Sequence, residues 1–134
     1  CDAAKAKGAK RALPLTVAGA YHSQLMAAAQ PGLKTELDAI AVNSPTVPVI
    51  SNTTAQPHGD AKLISATLVD QVTSPVRWEA SIRLLLDQGF TRFIELGPGT
   101  ALSGFMKRID RGVEMLNVAD VPSLEKTAAA LGDS

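Results

Sequence analysis

The chain has 134 residues, 46% of them hydrophobic and only 4% aromatic, enough for one aliphatic, alanine-rich domain with a real core. Thirteen basic and thirteen acidic side chains cancel to a formal net charge of zero, which speaks against general nucleic-acid binding. A single cysteine, Cys1, excludes an internal disulfide and any cysteine metal cluster, and no run of about eighteen apolar residues offers a membrane span. No signal-peptide stretch opens the chain, so a cytoplasmic setting is expected.

In chain order, CDAAKAKGAK reads as the tail of a helix ending at Gly8. A chain that opens this way is expected to be the C-terminal piece of something longer. RALPLTVAG alternates Leu13, Leu15 and Val17, a strand pattern, and Gly19 and Ala20 make a bend after it. Met26, Ala29, Leu33, Leu37 and Ile40 then fall at helical spacing, with Ser23 as N-cap and with Pro31 and Gly32 kinking or splitting the helix. TVPVISN predicts a short buried strand and TTAQPHGD a polar loop.

Ile64, Leu68 and Val72 predict a helix. A further helix is capped by Ser74, carries Pro75 at its first position and the apolar stripe Trp78, Ile82, Leu85 and Leu86, and ends at Gly89. RFIEL is a strand, GPG a turn, and TALSGFMKRID a helix with Leu102, Met106 and Ile109 inward. EMLNV is another strand and SLEKTAAAL a last helix started by Ser123. Strands alternating with helices predict an α/β fold with a mostly parallel sheet.

His22 leaves a strand-like run at the mouth of a helix, where parallel α/β sheets build their sites. An imidazole there can take a proton from a hydroxyl, but a histidine that only packs near a helix start fits the position as well. His58, among Pro57, Gly59 and Asp60, reads as a solvated loop residue, and two histidines without spaced partners make a poor metal site, so no metal is expected. A nucleophile should accompany a catalytic histidine. No G-x-S-x-G elbow occurs, Ser103 lies inside a helical pattern, and Ser23 reads as a cap. ELGPGT, Glu95 to Thr100, fits an anion cradle at a helix start or simply a tight glycine turn. Lys10-Arg11 and Lys107-Arg108 are basic clusters able to dock an acidic partner, with solvated surface as the ordinary alternative. Asn52-Thr53-Thr54 matches a glycosylation sequon, a pattern common by chance.

Four blocks stand in order: GAKRALPLTVAGAYHSQLM, NSPTVPVISN, QVTSPVRWEASIRLLLDQG and FIELGPGTALSGFMKRI. Together, from about Gly8 to the end, they resemble the malonyl-CoA:acyl carrier protein transacylases of fatty acid biosynthesis. They are similar also to the acyltransferase domains of polyketide synthases. The resemblance implies that residues 1–18 end a ferredoxin-like small subdomain. It implies that residues 19–134 form the C-terminal part of an α/β-hydrolase-like large subdomain.

The resemblance further implies a malonyl group carried from coenzyme A to the phosphopantetheine thiol of acyl carrier protein through a seryl ester. The family's nucleophile, a Ser in a G-H-S-x-G elbow, and its malonyl-binding Arg would precede this segment. His22 matches the family's catalytic histidine, general base to the Ser and then general acid to the leaving thiolate. Gln71 matches the residue whose main-chain carbonyl orients that histidine. Tyr21 stands where malonyl-selective members commonly have Phe, a ring that would fill the space of a methyl branch. Pro31 sits a few residues later than the family's helix-start Pro. The implied partners are the coenzyme A thioester, an acidic carrier protein meeting Lys10, Arg11, Lys107 and Arg108, and the N-terminal remainder of the enzyme. No tightly bound cofactor is implied. The alternatives are a noncatalytic fragment or partner chain that needs its N-terminal half, and a polyketide synthase acyltransferase domain.

Overall fold

The computed structural model describes residues 1–14 and 16–132. In chain order it holds α1 (Asp2–Ala6), a 3₁₀ helix (Gln24–Ala29), α2 (Gln30–Asp38), α3 (Ala61–Gln71) and α4 (Trp78–Asp87). β1 (Arg92–Leu96), α5 (Ala101–Ile109), β2 (Glu114–Val118) and α6 (Val121–Gly132) follow.

β1 and β2 pair in parallel, with Ile94 opposite Leu116. Parallel neighbours cannot be joined by a tight hairpin, so the chain crosses between them through α5. α5 packs on α4 and β2, and α6 covers β2, while α2 pairs with α3 on its own. The best-buried apolar side chain is Met106 of α5, 1% exposed, with Ile82 of α4 close behind. On β1, by contrast, Leu96 is 77% exposed.

Glycines end the helices where the sequence expects them to. Gly89 takes φ +88°, its N–H donates to the Leu86 carbonyl, and the Phe90 N–H donates to Leu85, a Schellman motif that closes α4. Gly8, at φ +91°, closes α1 in the same way through Gly8–Lys5 and Ala9–Ala4 bonds. The split at Pro31 is real: the 3₁₀ helix hands over to α2 at Gln30, and Pro31 sits in the first turn of α2, where its missing N–H costs nothing.

Four expectations need correction. Residues 11–14 and 16–18 form no strand (Leu15 lies outside the described residues), and within TVPVISN only Ile50 makes a bridge, antiparallel to Pro57. Both segments carry the side-chain pattern of a strand. A strand also needs a run of ladder bonds from a neighbour: among the described residues nothing pairs with 11–14 and 16–18, and TVPVISN finds only the two bonds of that single bridge, Ser51 N–H to Gln56 and His58 N–H to Val49. α4 starts at Trp78, not at Pro75, because the Arg77 N–H is drawn to the Asn52 carbonyl at 2.8 Å and holds residues 74–77 against the 51–56 turn. α6 starts two residues before Ser123. Asp120 is the cap: its carboxylate accepts from the Ser123 N–H at 2.9 Å while the Ser123 hydroxyl accepts from the Asp120 N–H at 2.9 Å.

Candidate active site around His22

His22 lies in the turn that precedes the 3₁₀ helix, with φ +60°, a left-handed backbone that a β-carbon disfavours. Its ring reaches across to α3, where Nδ1 stands 2.9 Å from the Gln71 carbonyl oxygen. A carbonyl only accepts, so Nδ1 carries the hydrogen and Nε2 keeps its lone pair. Gln71 is the last residue of α3, and the final carbonyls of a helix have no partner within it. The Val72 N–H turns to Val69 and the Thr73 N–H to Asp70, which leaves the Gln71 oxygen to the imidazole. The C-terminal end of α3 thus faces the ring.

The residues around the ring are tied down individually. Gly19 lies under the Tyr21 ring, and a β-carbon there would meet Tyr21 Cζ at 3.1 Å, a close approach that the ring would have to ease by a small shift. Tyr21 itself is exposed. The expected side-chain cap at Ser23 is absent: the hydroxyl turns back and donates to the Ala20 carbonyl at 2.6 Å. Gln30 Nε2 donates to the Val69 carbonyl at 3.1 Å and to Thr73 Oγ1 at 3.4 Å, which pins the end of α3. Gln71 engages twice, since its side-chain oxygen accepts from Asn52 Nδ2 at 3.4 Å.

Other candidates fall elsewhere. His58 is not a solvated loop residue but half-buried, its Nδ1 3.3 Å from the buried Thr67 hydroxyl. The helix start after the GPG turn is no open anion cradle, because Glu95 fills it. The Glu95 carboxylate leans from β1 over the first turn of α5 and accepts from the Leu102 N–H at 3.0 Å, the Ser103 N–H at 2.9 Å and the Ser103 hydroxyl at 2.5 Å. The Ser103 hydroxyl, more than the two N–H groups, holds this carboxyl below its ordinary range. Gly97 and Gly99, at φ +128° and +88°, make the turn that lets the strand come back over its own helix.

Lys10, Arg11, Lys107 and Arg108 are all exposed. Lys107 and Arg108 sit in the last turn of α5, where cations oppose the negative end of the helix. Arg108 also lines a cleft of about 470 Å³ between α4 and α5, with Arg77, Trp78 and Phe105, and no residue of the first basic cluster shares it. Sequence reasoning passed over Gln30 and took Asn52 only as a sequon. A glutamate just ahead of a glycine turn and a helix start was the readable signal for Glu95.

Among the described residues no hydroxyl is hydrogen-bonded to His22 Nε2, and no group of three or more His, Cys, Asp or Glu side chains could hold a metal. No described helix is long and apolar enough to cross a membrane.

Comparison with known proteins bears on the same region. The profile of the acyl transferase domain family matches residues 2–130. The malonyl CoA-acyl carrier protein transacylase of Bacillus subtilis is 44% identical over 124 residues, which are 92% of this chain and 39% of that protein. The crystal structure of the malonyl CoA-acyl carrier protein transacylase from Clostridium perfringens superposes with a TM-score of 0.89 at 36% identity, over 98% of this chain and 42% of that one. A malonyl-transacylase solved with a type II PKS acyl-carrier protein gives a TM-score of 0.89 at 38% identity, over 99% of this chain and 42% of that one. The chain therefore spans about two fifths of the length of these relatives. It belongs to the acyl transferase domain family, and its relatives there are malonyl CoA-acyl carrier protein transacylases.

Proposed function

We propose that this chain supplies the general base of a malonyl transferase whose nucleophilic serine lies outside these residues. The observation that carries the reading is the 2.9 Å contact between His22 Nδ1 and the Gln71 carbonyl, which leaves Nε2 as a proton acceptor to which no hydroxyl of the described residues is bonded. In the first half-reaction Nε2 takes the proton of the serine hydroxyl as the oxygen attacks the malonyl thioester. The C–S bond breaks, and the coenzyme A thiolate leaves with the proton from the imidazolium. In the second, Nε2 takes the proton of the phosphopantetheine thiol, sulfur attacks the seryl ester, and the serine oxygen leaves with that proton. Two such exchanges through one ester give ping-pong kinetics. The Gln71 carbonyl fixes the tautomer and supports the transient charge, the part that a carboxylate plays in a Ser-His-Asp triad.

Malonyl-CoA as donor and acyl carrier protein as acceptor follow the names of the relatives and belong to this proposal, as does a cytoplasmic setting. Residues 1–18 close the small subdomain and residues 19–134 complete the large one. Tyr21, beside the base, limits the acyl branch, and Lys10, Arg11, Lys107 and Arg108 steer the acidic carrier protein. The uncovered faces of β1, Leu96 above all, fit a chain that packs against an N-terminal remainder.

The test is radiolabelled malonyl-CoA offered to this chain alone and to the polypeptide that joins it to its serine-bearing part. Label is expected as an ester on the longer polypeptide only. Stable label on Ser23 or Ser103 of the short chain would overturn the reading.

A further inference from the structure

His22 depends on the Gln71 carbonyl, so whatever fixes the end of α3 fixes the imidazole. Gln30 holds the residues on either side of Gln71, and the Ser51–Gln56 turn holds Gln71 itself. Its own frame is closed by the Ser51 N–H donating to the Gln56 carbonyl and the Ala55 N–H donating to the Ser51 carbonyl, both at 2.9 Å. Ser51 and Ala55 are buried, and Ala55 takes φ +55°. Ala55 and His22 are the non-glycine residues with a left-handed backbone among those described, and such strain persists only where the surroundings over-determine it. From this frame Asn52 reaches two ways. Its carbonyl accepts from the Arg77 N–H at 2.8 Å, at the start of α4, and its side-chain amide donates to Gln71 Oε1 at 3.4 Å, at the end of α3.

We infer that Asn52 is a positioning residue for His22: it grips the Gln71 side chain so that the Gln71 carbonyl faces Nδ1 and holds the imidazole in its Nδ1–H tautomer. The chain of contacts runs Asn52 Nδ2 to Gln71 Oε1, then Gln71 O to His22 Nδ1, and joins residues 19 and 49 positions apart. Without the grip, the last residue of α3 frays as helix ends do, and the carbonyl leaves the ring. Asn52 needs no contact with substrate for this. The role also accounts for the amide at this position, which is turned inward and engaged rather than presented to solvent.

The inference rests on the reading of His22 as the base, and the test separates the two. In the polypeptide carrying the nucleophilic serine, the ring ¹⁵N signals of His22 are recorded at a pH where the imidazole is neutral. His58, paired with Thr67, serves as internal reference. Asn52→Ala is expected to move His22 from the Nδ1–H toward the Nε2–H form and leave His58 unchanged. The same variant is expected to lower kcat about tenfold with the KM for malonyl-CoA unchanged, since a base displaced by a fraction of an ångström loses rate and not binding. Gln71→Ala should do the same, and the double variant should lose no more than either single one, because both act through one contact. An unmoved His22 tautomer, or losses that multiply in the double variant, would overturn the inference. Should Asn52→Ala fail to fold, Asn52→Asp decides: its carboxylate accepts from Gln71 Nε2 once that amide rotates, so the starting ring signals are expected and their loss counts against the grip. Full transfer by His22→Ala, while in proteins that keep His22 its tautomer still follows Asn52, would overturn the functional reading alone.

Discussion

The two halves of the chain fold on different terms. From Trp78 to Gly132 the molecule is a packed α/β unit: α4, a parallel β1–α5–β2 crossover and α6, with Met106 at its centre, Glu95 stitching strand to helix and one face of β1 left uncovered. Before Trp78 the described residues form helices but no strand, and their order comes from helix ends and tight turns held by single hydrogen bonds. The candidate catalytic group lies in the second kind of region. On the proposed reading, in which His22 serves a serine from elsewhere, the base sits on an open, hydrogen-bonded rim while the packed unit beside it supplies rigidity.

The sharpest way to break this comparison is to remove the base. In the complete enzyme His22→Ala is expected to lower transfer by about 10²–10⁴-fold with the melting temperature nearly unchanged, measured as kcat beside a thermal melt. A large fall in melting temperature would mean that the rim is structural after all. Next in size is the packed half: Met106→Ala should cost about 2–5 kcal/mol in denaturant unfolding, since Met106 is the best-buried apolar side chain of this unit, 1% exposed.

Acid should probe the same half. The carboxyls of Glu95 and Asp120 are both lowered, each chiefly by a serine hydroxyl, Ser103 and Ser123 respectively. A lowered carboxyl adds stability that is complete above the ordinary carboxylate range and is lost as pH falls through the folded value. The β1–α5 junction should therefore loosen below that range, and Glu95→Gln should flatten the acid limb of the melting-temperature profile. An unchanged limb would remove Glu95 from the account.

Smaller effects test the rim. Tyr21→Ala should improve the use of a methyl-branched donor relative to malonyl-CoA by about 10-fold, within the 1–3 kcal/mol that a methyl-sized space can discriminate. Equal ratios for the two proteins would show that Tyr21 does not face the acyl group. Smallest of all, reversing Lys107 and Arg108 should raise the KM for acyl carrier protein a few-fold at low salt and hardly at all at high salt, because exposed charges are screened beyond about 8–10 Å. No salt dependence would leave these residues with their helix-end role only.

What was legible in the sequence follows the same division. The α4–β1–α5–β2–α6 run could be read because period and punctuation agree there: stripe, Gly89, RFIEL, GPG, stripe, EMLNV. Gly8 and Gly89 told where helices stop, since few other residues tolerate that backbone. RALPLTVAG and TVPVISN misled because alternation describes a strand's faces and says nothing of whether a neighbour is at hand. Pro75 misled because a through-space bond from Asn52 outweighed a local start signal. At the site, His22 stood out by its place at the mouth of a helix, whereas Gln71, 49 positions away, became visible only through family resemblance. Asn52 and Gln30 were illegible, because a side chain that binds one carbonyl or one amide across the fold leaves no periodic trace.

The left-handed backbone at His22 also shapes how this position can drift over evolutionary time. Most side chains placed at φ +60° carry a penalty of about 1–2 kcal/mol, while Gly, Asn and Asp carry little. If His22 is the base proposed above, a lineage released from selection for transfer would collect those three residues at position 22 before any others, since they relieve the backbone as they remove the imidazole. Duplicated copies of this domain that have become silent scaffolds should be recognisable by that exchange alone, with the turn, the helix end and the Asn52 bracket still in place around a site that no longer moves a proton.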